Sequence, residues 1–194
     1  MESYESILWR RLDIPGHEVA EQLQTAHGWQ LRGVAVFAHE ELPCRLEYDI
    51  RCDQSWQTEL LTLSGNVGEK AIAMELLRNP AGEWSMHGSK VWELTDCDDI
   101  DLNFSPSTNM LPIRRLGLAV GENARVRAAW VRFPSFELEV LEQTYSRIAS
   151  ETYRYESANG KFRRDLAVDA AGFVLEYPDF WRAEARSERF RIQD

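Results

Sequence analysis

Residues 43–52 constrain this chain more than any other stretch of it. After Pro43, the residues Leu46, Tyr48, Ile50 and Cys52 alternate with Arg45, Glu47, Asp49 and Arg51. An extended backbone sends successive side chains to opposite faces, so this segment reads as a strand with one buried and one solvated side. Shorter stretches of strand character recur along the chain, closed by turn-forming residues at the spacing of an all-β sandwich, barrel or roll. Strands are expected over residues 7–13, 29–38, 56–63, 71–77, 84–87, 91–94, 125–133, 136–145, 153–156, 162–168 and 173–177. Pro15 and Gly16 make the first turn, and another is expected at residues 64–68. Asn79, Pro80, Ala81 and Gly82 carry the preferences of a type I turn and imply a hairpin. Asn159 with Gly160, and Ala171 with Gly172, divide the later strands. The polar run 146–151 is expected to interrupt the sheet, and the charged residues 182–194 to lie at its periphery. No alternation of strands with long helices suggests a parallel sheet, and no linker divides the chain. One domain over residues 1–194 follows.

One segment departs from the pattern. In residues 96–118, DCDDIDLNFSPSTNMLPIRRLGL, Asp99, Asp101 and Asn103 first alternate with Ile100, Leu102 and Phe104, which is a strand. Asn109 then suits a helix N-cap, Pro112 falls where a first-turn N–H has no helical partner, and Gly117 is placed to terminate. A helix of about two turns results. Arg114 and Arg115 fall in its last turn, where the helix terminus favours cations, and Leu111, Ile113, Leu116 and Leu118 remain for burial. So short a helix is unstable alone and needs a surface around it.

A chain of 194 residues, 44% hydrophobic and 28% charged, suits a soluble domain with a real core. Its net charge of -10 argues against nucleic acid and against docking on anionic lipid, since both need clustered cations. Lys70, Lys90 and Lys161 are isolated. No apolar run approaches the length of a membrane span, and MESYESILWRR lacks the features of a secretory signal, so no stable membrane insertion and a cytoplasmic location are expected. Cys44, Cys52 and Cys97 are far apart and without metal-type spacing, as reduced thiols would be. Any lipid ligand would then be held in an apolar cavity rather than on a basic surface.

Asp96, Asp98, Asp99 and Asp101 form the densest carboxylate group, and an Asp-x-Asp pair could hold Mg²⁺ or Mn²⁺. Nothing fixes further ligands, however, and the favoured reading pairs Asp99 or Asp101 with Arg114 or Arg115 to lock helix to sheet. The same arginines could instead bind an anionic headgroup, in competition with those acids. His17, His27, His39 and His87 are dispersed and read as surface residues, and there is no nucleophile elbow or Gly-rich phosphate loop. No metal or cofactor is expected, and an enzyme is unsupported. Most of the rings in an 11% aromatic chain belong to the core. Trp56, Trp84, Trp92 and Trp130 are the ligand-contacting candidates, because the Trp N–H seeks a partner at a pocket mouth.

Several motifs together resemble the bacterial family called putative glycolipid-binding: WRRLDIPG (9–16), YDIRCDQSW (48–56), CDDIDL (97–102), FSPSTNMLPIRRLG (104–117), YRYES (153–157) and YPDF (177–180). They span nearly the whole chain. The resemblance implies a spiral β-roll, a many-stranded antiparallel sheet wrapped around the single short α-helix. It also decides residues 17–27, HEVAEQLQTAH, whose composition favours a helix but which the family pattern places in the sheet. The function it implies is a non-catalytic carrier or sensor with a lipid or glycolipid in an apolar cleft between sheet and helix. Trp56, Trp84, Trp92, Trp130, Arg114 and Arg115 would be its ligand contacts. The alternative is a small-molecule enzyme using the Asp99 and Asp101 face, with or without a metal. The sequence leaves the oligomeric state open.

Overall fold

The computed structural model describes residues 4–187. Its strands are β1 (Tyr4–Arg11), β2 (Gly16–Gln24), β3 (Trp29–His39), β4 (Leu42–Cys52), β5 (Thr58–Val67), β6 (Lys70–Arg78), β7 (Trp84–Met86), β8 (Ser89–Lys90), β9 (Asp99–Leu102), β10 (Asn123–Arg132), β11 (Glu137–Ala149), β12 (Thr152–Ser157), β13 (Phe162–Val168), β14 (Val174–Tyr177) and β15 (Trp181–Arg186). All fifteen belong to one open sheet. From β1 the strands β2 to β8 follow in order toward one edge, and β15 back to β9 follow toward the other. The seam is the antiparallel pair β1–β15, with Leu8 opposite Ala185 and Arg11 opposite Trp181. The chain is therefore mainly β, a spiral roll of meandering hairpins.

β9 and β10 form a parallel pair, Asp101 opposite Trp130. Parallel neighbours need a crossover connection, and here the helix supplies it. α1 (Met110–Leu116) follows a 3-10 turn at Ser107–Asn109 and ends on Gly117 at φ 54°, a left-handed backbone that glycine adopts without steric cost. Its apolar side chains serve two cores. Met110 and Leu111 pack with Leu31, Leu46, Ile50 and Leu61 of the N-terminal half, whereas Ile113 packs with Tyr145, Tyr155 and Leu166 of the C-terminal half. The sheet thus wraps the helix from both sides, which is what holds seven residues helical. The roll is drawn together where Arg78 of β6 and Trp84 of β7 both donate to the Cys97 carbonyl, just ahead of β9.

Several local expectations are corrected. Asn109 has helical backbone angles and does not cap, because the preceding 3-10 turn already continues into the helix; its amide donates to the Pro106 carbonyl and accepts from the Tyr145 hydroxyl. The expected turn at 64–68 is strand as far as Val67, since Gly65 lies so close to the Arg45 carbonyl that only a residue without Cβ keeps the ladder intact. Residues 92–94 form a 3-10 turn rather than a strand, with the Leu94 and Thr95 N–H groups donating three residues back. β11 runs through the polar residues as far as Ala149. Residues 182–186 are not peripheral: they belong to β15 and pair with β1, because inward-facing Trp181 anchors the strand while its charged neighbours face out. The rest of that expectation, residues 188–194, lies outside the described residues. Residues 17–24 are strand, as the family pattern has it, but with the buried face carrying Glu18, Ala20 and Gln22 while Val19 is exposed.

Candidate functional site

Strand registers place one row of side chains on the inner face of the C-terminal half. Arg11, Trp181 and Tyr177 are successive cross-strand neighbours, and Asp101 stands beside Trp130. Ser157 is paired with both Phe162 and Gln143. These strands and the segment leading into α1 enclose a cleft of about 420 Å³, within the range of about 300–1,000 Å³ usual for small-molecule sites. Trp130, Phe133, Tyr155, Phe162, Tyr177 and Phe180 supply its rings. Phe162 meets Tyr155, Tyr177 and Phe180 at centroid distances of 5.9, 6.4 and 5.8 Å, so one wall is a connected aromatic cluster.

Polar groups on this wall are few and individually placed. Asp101 accepts a hydrogen bond from Gln143 Nε2 at 2.7 Å, and the same amide nitrogen lies 3.1 Å from the Tyr155 hydroxyl. Burial pushes the Asp101 carboxyl up to about 6, with the Gln143 bond opposing. Arg11 also lines the cleft; its guanidinium makes two bonds to Asp13, at 2.8 and 3.1 Å, and lies over the Phe37 and Trp181 rings. Ser105, itself on the wall, donates to Glu18 Oε1 behind it at 2.6 Å, and Tyr48 donates to the same oxygen at 2.6 Å. Glu18 is fully buried, and burial lifts its carboxyl to about 7 against those two bonds and the Arg11 charge. This cluster ties the helix-leading segment to β2 and β4.

Of the six residues singled out in the sequence, the structure brings Trp56 together with Arg114, sets Trp84 and Trp92 on a second pocket, and leaves only Trp130 on the cleft. Trp130 lines the cleft. Trp84 is buried and donates its N–H to the Cys97 carbonyl at 2.9 Å, whereas Trp92 is 68% exposed with Lys90 over its ring. Trp56 is buried and stacked on Trp29 at 4.6 Å, with the Arg114 guanidinium above both rings. Arg115 forms a two-bond ion pair with buried Asp99, at 3.1 and 2.7 Å. The expected acid–arginine lock therefore exists, and it joins Asp99 to Arg115; Asp101 is left facing the cleft. Among the described residues no group of three or more His, Cys, Asp or Glu side chains is placed to hold a metal ion.

Sequence reasoning did not find Arg11, Glu18 or the Tyr155–Phe162–Tyr177 cluster. The signal for Glu18 was the weak alternation of residues 17–24, which has an acid on the buried face. The tyrosines of YRYES and YPDF were on view in the sequence, but only the meander brings them side by side.

Comparison with known proteins places the chain. No curated protein matches it. A DUF1089 family protein from Pseudomonas aeruginosa, known from its crystal structure, is 32% identical, superposes with a TM-score of 0.70, and is covered over 89% of each chain. The family model described as "Putative glycolipid-binding" matches residues 6–183. With that match running from β1 to β15, the chain belongs to the putative glycolipid-binding family.

Proposed function

We propose that this protein is a non-catalytic carrier or sensor that holds a lipid or glycolipid in the cleft between the inner face of the sheet and the segment leading into α1. The observation that carries this reading is the aromatic cleft itself: a concave, ring-lined space with a small set of fixed polar groups, the usual makeup of a ligand site. The family description points to the same ligand class. Among the described residues no helix is long and apolar enough to cross a membrane. Three buried, unpaired thiols, Cys44, Cys52 and Cys97, support action in the cytoplasm. The whole chain acts as one binding domain, with Trp130 as the tryptophan that touches ligand and Arg114 and Arg115 serving chiefly to hold the helix.

The catalytic alternative has less to work with. Acid–base hydrolysis of a sugar takes two carboxyl groups across the scissile bond, and Asp101 is the one carboxylate on the cleft wall among the described residues. Native mass spectrometry of protein purified from its own cells is the direct test. The expected result is a co-purifying lipid or glycolipid mass, lost in Leu141→Arg, which drives a charge into the cleft while circular dichroism stays β. A bare protein, or an adduct undiminished by that substitution, removes the proposal.

A further inference from the structure

Asp99 and Asp101 sit two residues apart on β9 and meet opposite fates. Asp99 is neutralised by the two-bond Arg115 pair. Asp101 has no such cation. Gln143 is the one side chain that hydrogen-bonds it among the described residues, through Oδ2, and its second oxygen receives no bond from them. Gln143 is 4% exposed and points the same amide nitrogen at the Tyr155 oxygen, so both polar groups are held in fixed positions. The Tyr155 oxygen accepts from Gln143 and also meets the Ser157 hydroxyl, so the two hydroxyls together present a donor to the cleft. The corner therefore offers an acceptor and a donor side by side, next to the Trp130 ring that stands in register with Asp101.

Charge narrows what can occupy this corner. An anionic head would face an uncompensated carboxylate inside a low-dielectric cleft, where like charges repel strongly. Arg11, the one cation on the wall among the described residues, has its charge countered by two bonds to Asp13 and lies over the Phe37 and Trp181 rings, although its Nη1 is buried without a partner among those residues. The guanidinium groups over the cleft rings are likewise paired with acids, Arg132 over Trp130 with Glu139 and Arg164 over Phe162 and Phe180 with Asp179. A hydroxyl-bearing head donates to Asp101, accepts from the Tyr155 and Ser157 hydroxyl pair, and lays its C–H face on Trp130 without introducing charge. Asn103, also on the wall, adds a further neutral partner.

We infer that Asp101 is a specificity-determining residue, selecting amphiphiles with an uncharged polyol head, of sugar or glycerol type, and rejecting those with an anionic head. This rests on the reading of the cleft as a lipid or glycolipid site. The test uses three eight-carbon probes, n-octyl β-glucoside, octanoate and octylammonium, titrated calorimetrically into the full-length protein at a pH above the Asp101 transition. The glucoside is expected to bind at least about ten-fold more tightly than octanoate. In Asp101→Asn, which keeps the shape and the fold, octanoate gains several-fold and the glucoside loses several-fold. Octanoate binding as tightly as the glucoside overturns the inference and makes Arg11 the head site. Octylammonium binding tightest overturns it in favour of a cation held by Asp101 and the rings. In both cases the carrier reading survives, provided Leu141→Arg abolishes uptake. If none of the three probes binds, the carrier reading itself falls, and the inference with it.

Discussion

On the two sides of the β1–β15 seam the same architecture is filled differently. In the N-terminal half, inward positions carry Leu31, Leu46, Ile50, Leu61, Leu63 and Leu76, all essentially without exposure. In the C-terminal half Leu166, Val168 and Val174 are buried too, but beside them the inner face carries Tyr145, Tyr155, Phe162, Tyr177 and Trp130, with the Tyr145 and Tyr155 hydroxyls bound to amides and rings meeting edge to face. Branched aliphatic chains interdigitate on a pleated surface and fill it. Flat rings that meet edge to face fill it less completely, and the space beside them is the cleft. Capacity for a ligand therefore lies in the choice of inward side chains and in the parallel β9–β10 pair that sets Asp101 beside Trp130, since the halves are otherwise alike as meanders of hairpins.

The largest expected effect concerns the helix that both halves grip. Arg115→Ala leaves the Asp99 carboxylate buried without its partner, and loss of one member of a buried pair costs about 3–5 kcal/mol. Both halves are expected to unfold together at a lower denaturant concentration, followed by tryptophan fluorescence and circular dichroism. Separate transitions by the two probes would show that the halves are independent and break the comparison.

Side chains test the contrast next. Leu46→Ala, in the filled half, is expected to cost about 3 kcal/mol as a cavity opens in a closed core. Leu141→Ala, on the cleft wall, is expected to cost about 1 kcal/mol or less, since it enlarges a space that already exists. Equal losses in urea unfolding would mean that the cleft is packed as tightly as the core.

This contrast also marks how far the sequence could be read. The strong alternation at residues 43–52 gave the β4 faces correctly, with Leu46, Tyr48, Ile50 and Cys52 buried, because that strand obeys the simplest pattern. Gly117 and Pro112 likewise marked the helix, since their backbone preferences act locally. β2 was harder: Glu18 and Gln22 face inward, so the buried side looks polar, and the surrounding network that tolerates them comes from Tyr48 and Ser105, distant in sequence. The cleft was harder still. Its residues come from β1, β9 to β15 and the segment before α1, and no local pattern records that a roll brings them to one face. The tryptophans were the natural choice by chemistry, yet burial scatters them: Trp84 bonds within the fold, Trp56 stacks on Trp29, and Trp130 alone of the four candidates reaches the cleft.

A smaller effect, and one with a sign, comes from the acids that each half turns inward. Glu18 lies on the filled side and is lifted to about 7 by burial, against an ordinary carboxyl value of 4.5. Because the folded-state value is the higher, folding takes up a proton in the interval between them, and stability falls as pH rises through it. From about pH 5 to about pH 7 this amounts to about 2 kcal/mol for this one group. Glu18→Gln should lose that slope, so its stability relative to the parent rises by the same amount across the interval. Urea midpoints of the two proteins at the two pH values measure it. Parallel pH profiles would mean that Glu18 is solvated, and that the tie from Ser105 to β2 is looser than the geometry implies.

The smallest expected effect separates two adjacent arginines. Arg114 lies over the stacked Trp29 and Trp56 rings of the N-terminal half, at 5.7 and 5.2 Å, and its stem passes Gly172 of the C-terminal half, where an added Cβ would meet its Cδ at 2.9 Å. It spans both sides of the seam, as Arg115 does, but through ring contact and a long 3.4 Å bond to the Ala170 carbonyl rather than a buried ion pair. A cation–ring contact at a partly exposed site contributes about 0.5–1 kcal/mol. Arg114→Ala should therefore cost no more than about 1 kcal/mol, several-fold less than Arg115→Ala, and leave ligand uptake unchanged because Arg114 is not on the cleft wall. Chemical denaturation beside a binding titration checks both. Loss of binding at unchanged stability would move the ligand site to the Trp29–Trp56 flank, and with it the assignment of cleft to one half and core to the other.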